Sequence, residues 1–214
     1  MEEMQYHATI LWDGRKTMTT LKHATWTLWR DNSVTEEESK LLRRVADEVP
    51  IPLTDEARRD VETLIDAFLE RDDAAGLAAP QIGISKRIVV FKTKNFGSET
   101  PPSRDSNDYE VLINPRITQY RGAEEQQTEG CLSCPEISAD VTRWTEVKVR
   151  AFDRTGRKIN RRYTGFPARV VQHELDHLEG MLIVDRADTL YFPREKKQFF
   201  ETMFRLGRRP TPAP

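Results

Sequence analysis

The chain has little sulfur, little histidine and no long apolar run, and each shortage closes off a class of protein. Two cysteines in 214 residues cannot build the disulfide framework of a small secreted domain. No apolar stretch approaches the roughly 20 residues that span a bilayer, so no membrane partner is expected. The N-terminus, MEEMQYHATILWDG, has two early acids, no basic start and no apolar core of signal length, so neither a secretory signal nor an Arg-rich transit peptide is expected. An excess of one charge is missing too: 32% of residues are charged, yet the net charge is −2. DNA and anionic membranes are therefore not expected as partners, and the reading is a cytoplasmic protein. Its length suits one domain with a sizeable core.

Several elements are legible. Residues 1–37 hold Trp12, Trp26 and Trp29, too aromatic for a disordered tail, and ATILWDGRKTM has an Asp-Gly pair between strand-like flanks. LTDEARRDVETLIDAFLERD (53–72) predicts an amphipathic helix, with Thr54 as N-cap and Val61, Leu64, Ile65 and Phe68 on one face. RIVVFK (87–92) and YEVLIN (109–114) predict strands around a polar Pro/Gly/Ser-rich loop. EVKVRAFD and KINRRYTG (146–165) predict a β-hairpin around RTG. A helix is expected from Phe166 to about Leu178, and a last one over 192–207, before a frayed tail. Strands with flanking helices indicate an α+β domain.

Two of the four histidines lie in VVQHELDHLEG (170–180). Residues four apart stack on one helical face, so His173 and His177 can present two imidazoles to one ion. Glu174 sits about 100° further round, near the ion and placed to act as a base. Val170, Val171, Leu175 and Leu178 make this helix apolar nearly all round, hence buried. Buried histidines and acids need partners, and a metal supplies them.

A catalytic site wants three protein ligands and one open position. The third ligand is Cys131, Cys134 or a distant carboxylate. Both cysteines together would close the site as Cys₂His₂, but the spacer from Cys134 to His173 far exceeds the about 12–15 residues of a zinc finger. A glutamate would make a zinc peptidase, for which no downstream E-x-x-x-D or third histidine is visible. EGCLS favours one thiolate on a tight Gly-containing turn, without choosing between the cysteines. AAGLAAPQIG (74–83) adds small residues that allow close backbone approach, followed by Gln81, an amide able to donate to a developing oxyanion.

In order and spacing, GLAAPQ (76–81), EGCLS (129–133) and QHELDH (172–177) resemble the three signature motifs of peptide deformylase. LLRRVADEV (41–49), RIVVF, VLINP, EVKVRAFDRTG and HLEGMLIVD extend the resemblance over roughly residues 40–190. It implies an α+β fold with antiparallel strands packed around a central metal-binding HExxH helix, and a C-terminal helix. It implies Cys131, His173 and His177 as metal ligands, Glu174 as general acid/base, and Gln81 with the Leu132 N–H as oxyanion donors. Cys134 becomes an apolar neighbour. One divalent ion is implied, Fe²⁺ natively, with Zn²⁺, Ni²⁺ or Co²⁺ as substitutes. The implied activity removes the N-formyl group from the initiator methionine of nascent chains in a bacterial-type cytoplasm.

Phe166 and Val170 share a helix face with His173 and are expected to line the methionine pocket. Gly76, Gly130 and Arg143 join them as substrate contacts, Arg143 holding a peptide carbonyl or an acidic neighbour. Asp176 and Glu129 are expected to orient ligands. Ala74 and Ala75 replace a glycine and a larger apolar residue of the usual first motif. The expected organisation is an ordered extension at 1–39, a catalytic domain at 40–207 and a flexible tail at 208–214. The basic C-terminal helix and tail (Arg194, Lys196, Lys197, Arg205, Arg208, Arg209) form a solvated face, or alternatively a ribosome contact. Two competing functions are a zincin-type peptidase using only His173, His177 and Glu174, and a metal-binding relative with altered substrate or no activity.

Overall fold

A single strand, Ile88–Lys92 (β4), is buried along its whole length, and the layers of the fold follow from its two faces. Successive side chains of a strand point to opposite sides. Ile88 and Val90 pack into a cluster with Val61, Leu64, Ile65 and Phe68 of the helix Asp55–Leu69 (α2). Val89 and Phe91 pack into a second cluster with Val170, Val171, Leu175 and Leu178 of the helix Phe166–Leu178 (α3). A strand covered on both faces is apolar on both, which is why residues 88–91 read as a continuous run and not as an alternation, with Lys92 ending the strand.

The computed structural model describes residues 22–98 and 100–206. Within them a hairpin, Trp29–Arg30 (β1) with Ser33–Val34 (β2), precedes the helix Glu36–Leu42 (α1) and α2. The strand Gly76–Ala78 (β3) and the 3₁₀ turn Ala79–Ile82 then lead to β4. The strands Tyr109–Gly130 (β5), Ser138–Phe152 (β6) and Lys158–Thr164 (β7) precede α3. After α3 come Ile183–Arg186 (α4), Thr189–Tyr191 (β8), a 3₁₀ turn at Arg194–Lys196, and Lys197–Leu206 (α5). The main sheet runs β3-β4-β5-β6-β7, with β8 on the start of β6, and its pairings are antiparallel. The α+β class is as expected.

Local chemistry sets the element ends. Thr54 caps α2, its hydroxyl accepting from the Ala57 N–H at 3.2 Å, the cap read from the sequence. Asn114 takes a left-handed φ of 49°, which Asn tolerates better than most residues. Its amide pairs both ways with the Val49 backbone, at 2.9 and 2.8 Å. The ladder between β5 and β6 shifts register beside it, between Ile113 and Arg116. Past α3, Gly180 has φ +68° and its Cα faces the Arg43 carbonyl too closely for a Cβ, so the helix can turn back over α1.

Several expectations need adjustment. β5 continues to Gly130, well beyond the YEVLIN reading. The last helix begins at Lys197, after the 3₁₀ turn. The ATILWDGRKTM hairpin, Trp12 and the tail from 208 lie outside the described residues. Among the described residues no helix is long and apolar enough to cross a membrane.

A third cluster joins the two ends of the chain. Phe200 of α5 is fully buried with Leu28, Trp29, Leu42, Leu182 and Ile183, and its ring meets Trp29 edge-on at 5.3 Å. The last helix is therefore part of the core. Phe200→Ala is expected to lower unfolding free energy by about 3–5 kcal/mol, read as a lower urea midpoint. An unchanged midpoint would detach α5 from the core.

Candidate metal centre and catalytic site

The site forms where the end of β5 meets the middle of α3. Gly130 closes β5 in register with Ser138, and the chain turns at once through Cys131–Cys134, closed by a 3.0 Å bond from the Cys134 N–H to the Cys131 carbonyl. α3 lies across β3, β4, β6 and β7 and carries His173 and His177, whose rings are 5.1 Å apart. One donor atom each from Cys131, His173 and His177 fall within 4.8 Å of one another, and Cys131 Sγ is 3.4 Å from His177 Nε2. Metal bonds of about 2.0–2.3 Å in tetrahedral array put ligand atoms roughly 3.5 Å apart. These three side chains therefore match a cation in size and donor type. The structure selects Cys131 as the thiol of this group; Cys134, 1% exposed, packs in the third core cluster.

The electrostatics agree. Burial acts to raise the Cys131 thiol, but its contact with Cys134 and the two histidines holds it well below the usual thiol range. Burial acts to lower His173, but its bonds to Cys131 and Glu129 raise it well above the usual imidazole range. A thiolate beside an imidazolium is a donor set whose proton a cation can displace.

Behind the donors lies a buried charge cluster. Glu129 Oε2 meets His173 Nδ1 at 3.1 Å, which turns the other ring nitrogen to the site. Arg143 donates to both Glu129 oxygens at 2.8 and 2.9 Å and to Asp176 at 2.6 Å. Arg169 donates to Glu129 at 2.6 Å. Burial acts to raise the Glu129 carboxyl, but Arg143 and His173 hold it far below the ordinary carboxylate range. Asp176 is bound by Arg143 and Arg186, so it reaches His173 only through Arg143 and Glu129.

Glu174 has the opposite environment. It is 3% exposed, and its Oε2 has no protein partner. Burial pushes its carboxyl up to about 7, with His173 and His177 acting against the rise. A buried acid near neutrality can both accept and return a proton. Gly76 of β3 lies directly against it, and a Cβ there would stand 2.7 Å from Glu174 Cδ.

Gln81 is 2% exposed on the 3₁₀ turn after β3. Its Oε1 accepts from the Ala78 N–H at 2.9 Å, and its Nε2 donates to Ser133 Oγ at 3.2 Å. An amide carries two N–H groups, so one remains. The segment before β1 ties these parts together: the Trp26 N–H donates to the Gln81 carbonyl at 2.7 Å and the Leu28 N–H to the Ser133 carbonyl at 2.9 Å.

The expected substrate contacts divide. Phe166 is 40% exposed and meets Phe96 edge-on at 4.7 Å, while Val170 is buried among core residues. Gly130 has open space where a Cβ would stand. Arg143 is buried with its guanidinium turned to Glu129 and Asp176, so of its two expected roles the acidic neighbour describes what it touches. The sequence reading missed Arg169 and Ser133. An arginine inside an otherwise apolar helix was the available signal for the first, and the last residue of EGCLS for the second.

A half-buried thiol and two imidazoles beside a buried carboxyl form a group that could hold a metal ion, as the sites of metal-dependent hydrolases do. A family model described as polypeptide deformylase matches residues 32–192. The peptide deformylase of Desulforudis audaxviator is 39% identical over 155 residues, covering 72% of this chain and 92% of that protein. That of Brachyspira hyodysenteriae is 38% identical over 146 residues, covering 66% and 75%. A solved Synechococcus elongatus peptide deformylase in complex with actinonin superposes with a TM-score of 0.66 at 32% identity, over 90% of this chain and 91% of that one. A Met-Ala-Ser-bound enzyme from Acinetobacter baumannii gives 0.62 at 30% identity, over 77% and 97%. The chain belongs to the polypeptide deformylase family. It is a metal-dependent hydrolase that removes the N-formyl group from the formyl-methionine of nascent polypeptides and releases formate.

Gly76→Ala tests the packing under Glu174. With the proton-carrying role proposed for Glu174 below, formate release is expected to fall by roughly 100-fold, since a misplacement of about 1 Å costs that much, while bound metal and the circular dichroism spectrum stay unchanged. Full activity would show that Glu174 tolerates displacement.

Proposed function

We propose that Cys131, His173 and His177 hold one divalent ion and that Glu174 moves the protons of the reaction. The convergence of those three donor atoms within 4.8 Å, with the unpartnered Glu174 carboxylate beside them, carries this reading. A thiolate with two imidazoles suits a borderline or soft ion, which favours Fe²⁺ or Zn²⁺, with Ni²⁺ and Co²⁺ as substitutes. When bound, the ion supplies Lewis acidity that polarises the formyl carbonyl and makes a water easier to deprotonate.

Glu174 accepts the proton of the attacking water. The resulting hydroxide adds to the formyl carbon, and charge develops on the formyl oxygen. The free Gln81 N–H and the Leu132 N–H, which meets no acceptor among the described residues, donate to that oxygen. Glu174 then delivers its proton to the leaving amine as the C–N bond breaks, and formate departs. Its carboxyl near 7 suits both halves of the cycle.

Phe166, flanked by Phe96, together with Val170 forms the side of the site that takes the methionine side chain. Gly76 and Gly130 let the peptide backbone approach, and Arg143 supports the pocket from behind through Glu129. Residues 40–207 form the catalytic domain. The described part of the extension, residues 22–39, acts as a brace through Trp26 and Leu28, and the protein works in a bacterial-type cytoplasm.

The test is formate release from formyl-Met-Ala-Ser by anaerobically purified protein, beside Glu174→Ala and Cys131→Ala. Both variants are expected to lose activity by 10³-fold or more, on the order seen for essential catalytic groups, and only Cys131→Ala is expected to lose metal. Substantial turnover by Glu174→Ala would sink the proton-transfer role. Internal peptide cleavage indifferent to Cys131→Ala would indicate a zincin-type peptidase.

A ribosome contact through Lys196, Lys197 and the basic residues after them rests on charge alone. Truncation is the wrong probe, because Phe200 is core. Lys197 is exposed, so Lys197→Glu leaves the core intact; unchanged ribosome co-sedimentation at unchanged activity is expected of a solvated face, and weaker co-sedimentation would establish the contact.

A further inference from the structure

Cys134 has no role in the chemistry above, yet it stands three residues from Cys131 in a C-x-x-C pair. The turn between them is closed by the 3.0 Å backbone bond from Cys134 to Cys131. A turn of this kind keeps its end Cα atoms within about 7 Å, and a disulfide wants them about 4.4–6.8 Å apart. Cys131 also packs against the cluster that contains Cys134, so no segment has to move to bring the two residues together. Their exposure differs. Cys131 is half-buried at the site, while Cys134 is 1% exposed behind it, among Leu28, Trp29, Ile137 and Leu182. An oxidant from solution meets Cys131 first and leaves Cys134 as the thiol waiting behind it.

We infer that Cys131 and Cys134 form a modification site, a reversible disulfide made when hydrogen peroxide reaches the metal centre. The Cys131 thiolate attacks one peroxide oxygen, the O–O bond breaks, and hydroxide leaves; the sulfur is now a sulfenic acid. The Cys134 sulfur attacks that sulfur, the S–O bond breaks, and the oxygen leaves as a second hydroxide. With the two thiol protons the sum is two thiols and one peroxide giving one disulfide and two waters. Two electrons pass from the sulfurs to the peroxide. A dithiol reductant reverses the bond by exchange.

The chemistry protects the site. A sulfenic acid without a resolving thiol goes on to sulfinic and sulfonic acids, which are not recovered by thiols. A disulfide sulfur carries no thiolate charge for a cation, so the ion is released until reduction. The disulfide needs only the two thiols; the metal release rests on the proposed ligand role of Cys131, and the two are read separately.

The experiment treats the full-length, metal-loaded protein with a small excess of hydrogen peroxide, then records intact mass, a peptide map and metal content, before and after dithiothreitol. Wild type is expected to lose about 2 Da and to show a 131–134 cross-link, while Cys134→Ser and Cys134→Val gain about 32 or 48 Da on Cys131. Dithiothreitol is expected to restore wild-type mass and metal uptake and to leave the variants oxidised. The wild-type measurement stands alone if either variant folds poorly. Oxygen addition to wild-type Cys131 with no cross-link overturns the disulfide. Cross-linked protein that keeps its ion supports the disulfide and overturns the ligand role of Cys131.

Discussion

Glu129 is a carboxylate buried under a helix, and the arrangement of the site depends on its being fully paired. It accepts from Arg143, Arg169 and His173, which belong to β6, the first half of α3 and the second half of α3, while Glu129 itself is the next-to-last residue of β5. A buried ion that loses one partner leaves an uncompensated charge, at a cost of about 3–5 kcal/mol. The two strands and the helix are thus held in one relative placement, and His173 is oriented in the process. Arg143 carries the connection on to Asp176, which also binds Arg186 of α4. The helix can bury Arg169 and Asp176 because each meets an opposite charge.

Glu174 sits one residue from His173 and has almost none of this support. Glu129 is held ionised by hydrogen-bonded cations, whereas Glu174 feels mainly burial and is pushed up to about 7. Two carboxylates near the same donor group are driven apart in acidity by their surroundings, the pattern that separates a fixed orienting charge from a mobile proton carrier. The opposite wall, Gln81 bonded to Ser133, is held from outside by the backbone of Trp26 and Leu28. Residues distant in sequence at both ends of the chain, Trp29 and Phe200, close the layer behind it.

Legibility varied with the kind of interaction involved. Thr54, Leu64 and Phe68 marked α2 because capping and helical spacing are local, and the Phe166 start of α3 was read for the same reason. β5 beyond Asn114 was not read: PRITQYRGAEEQQTEG is polar and mostly exposed, and it is a strand because its backbone pairs with β6. Strand formation of that kind is decided by the partner. Arg143 shows the same limit: nothing local in the sequence distinguishes an arginine facing a peptide carbonyl from one enclosed by Glu129 and Asp176.

The sequence by itself determined the chemistry available to this protein: two imidazoles on one helical face with a carboxylate next to them, a thiol beside a glycine, an amide after a run of small residues, and the family these motifs resemble. Helical period and residue type are properties of short segments, so they survive without coordinates. Only the tertiary structure decided which sulfur faces the histidines, which carboxylate stays charged and which rises, and that Gly76 lies against Glu174. Each of these depends on what a distant segment places within a few ångströms, and burial and pairing have no meaning until the chain has closed around them.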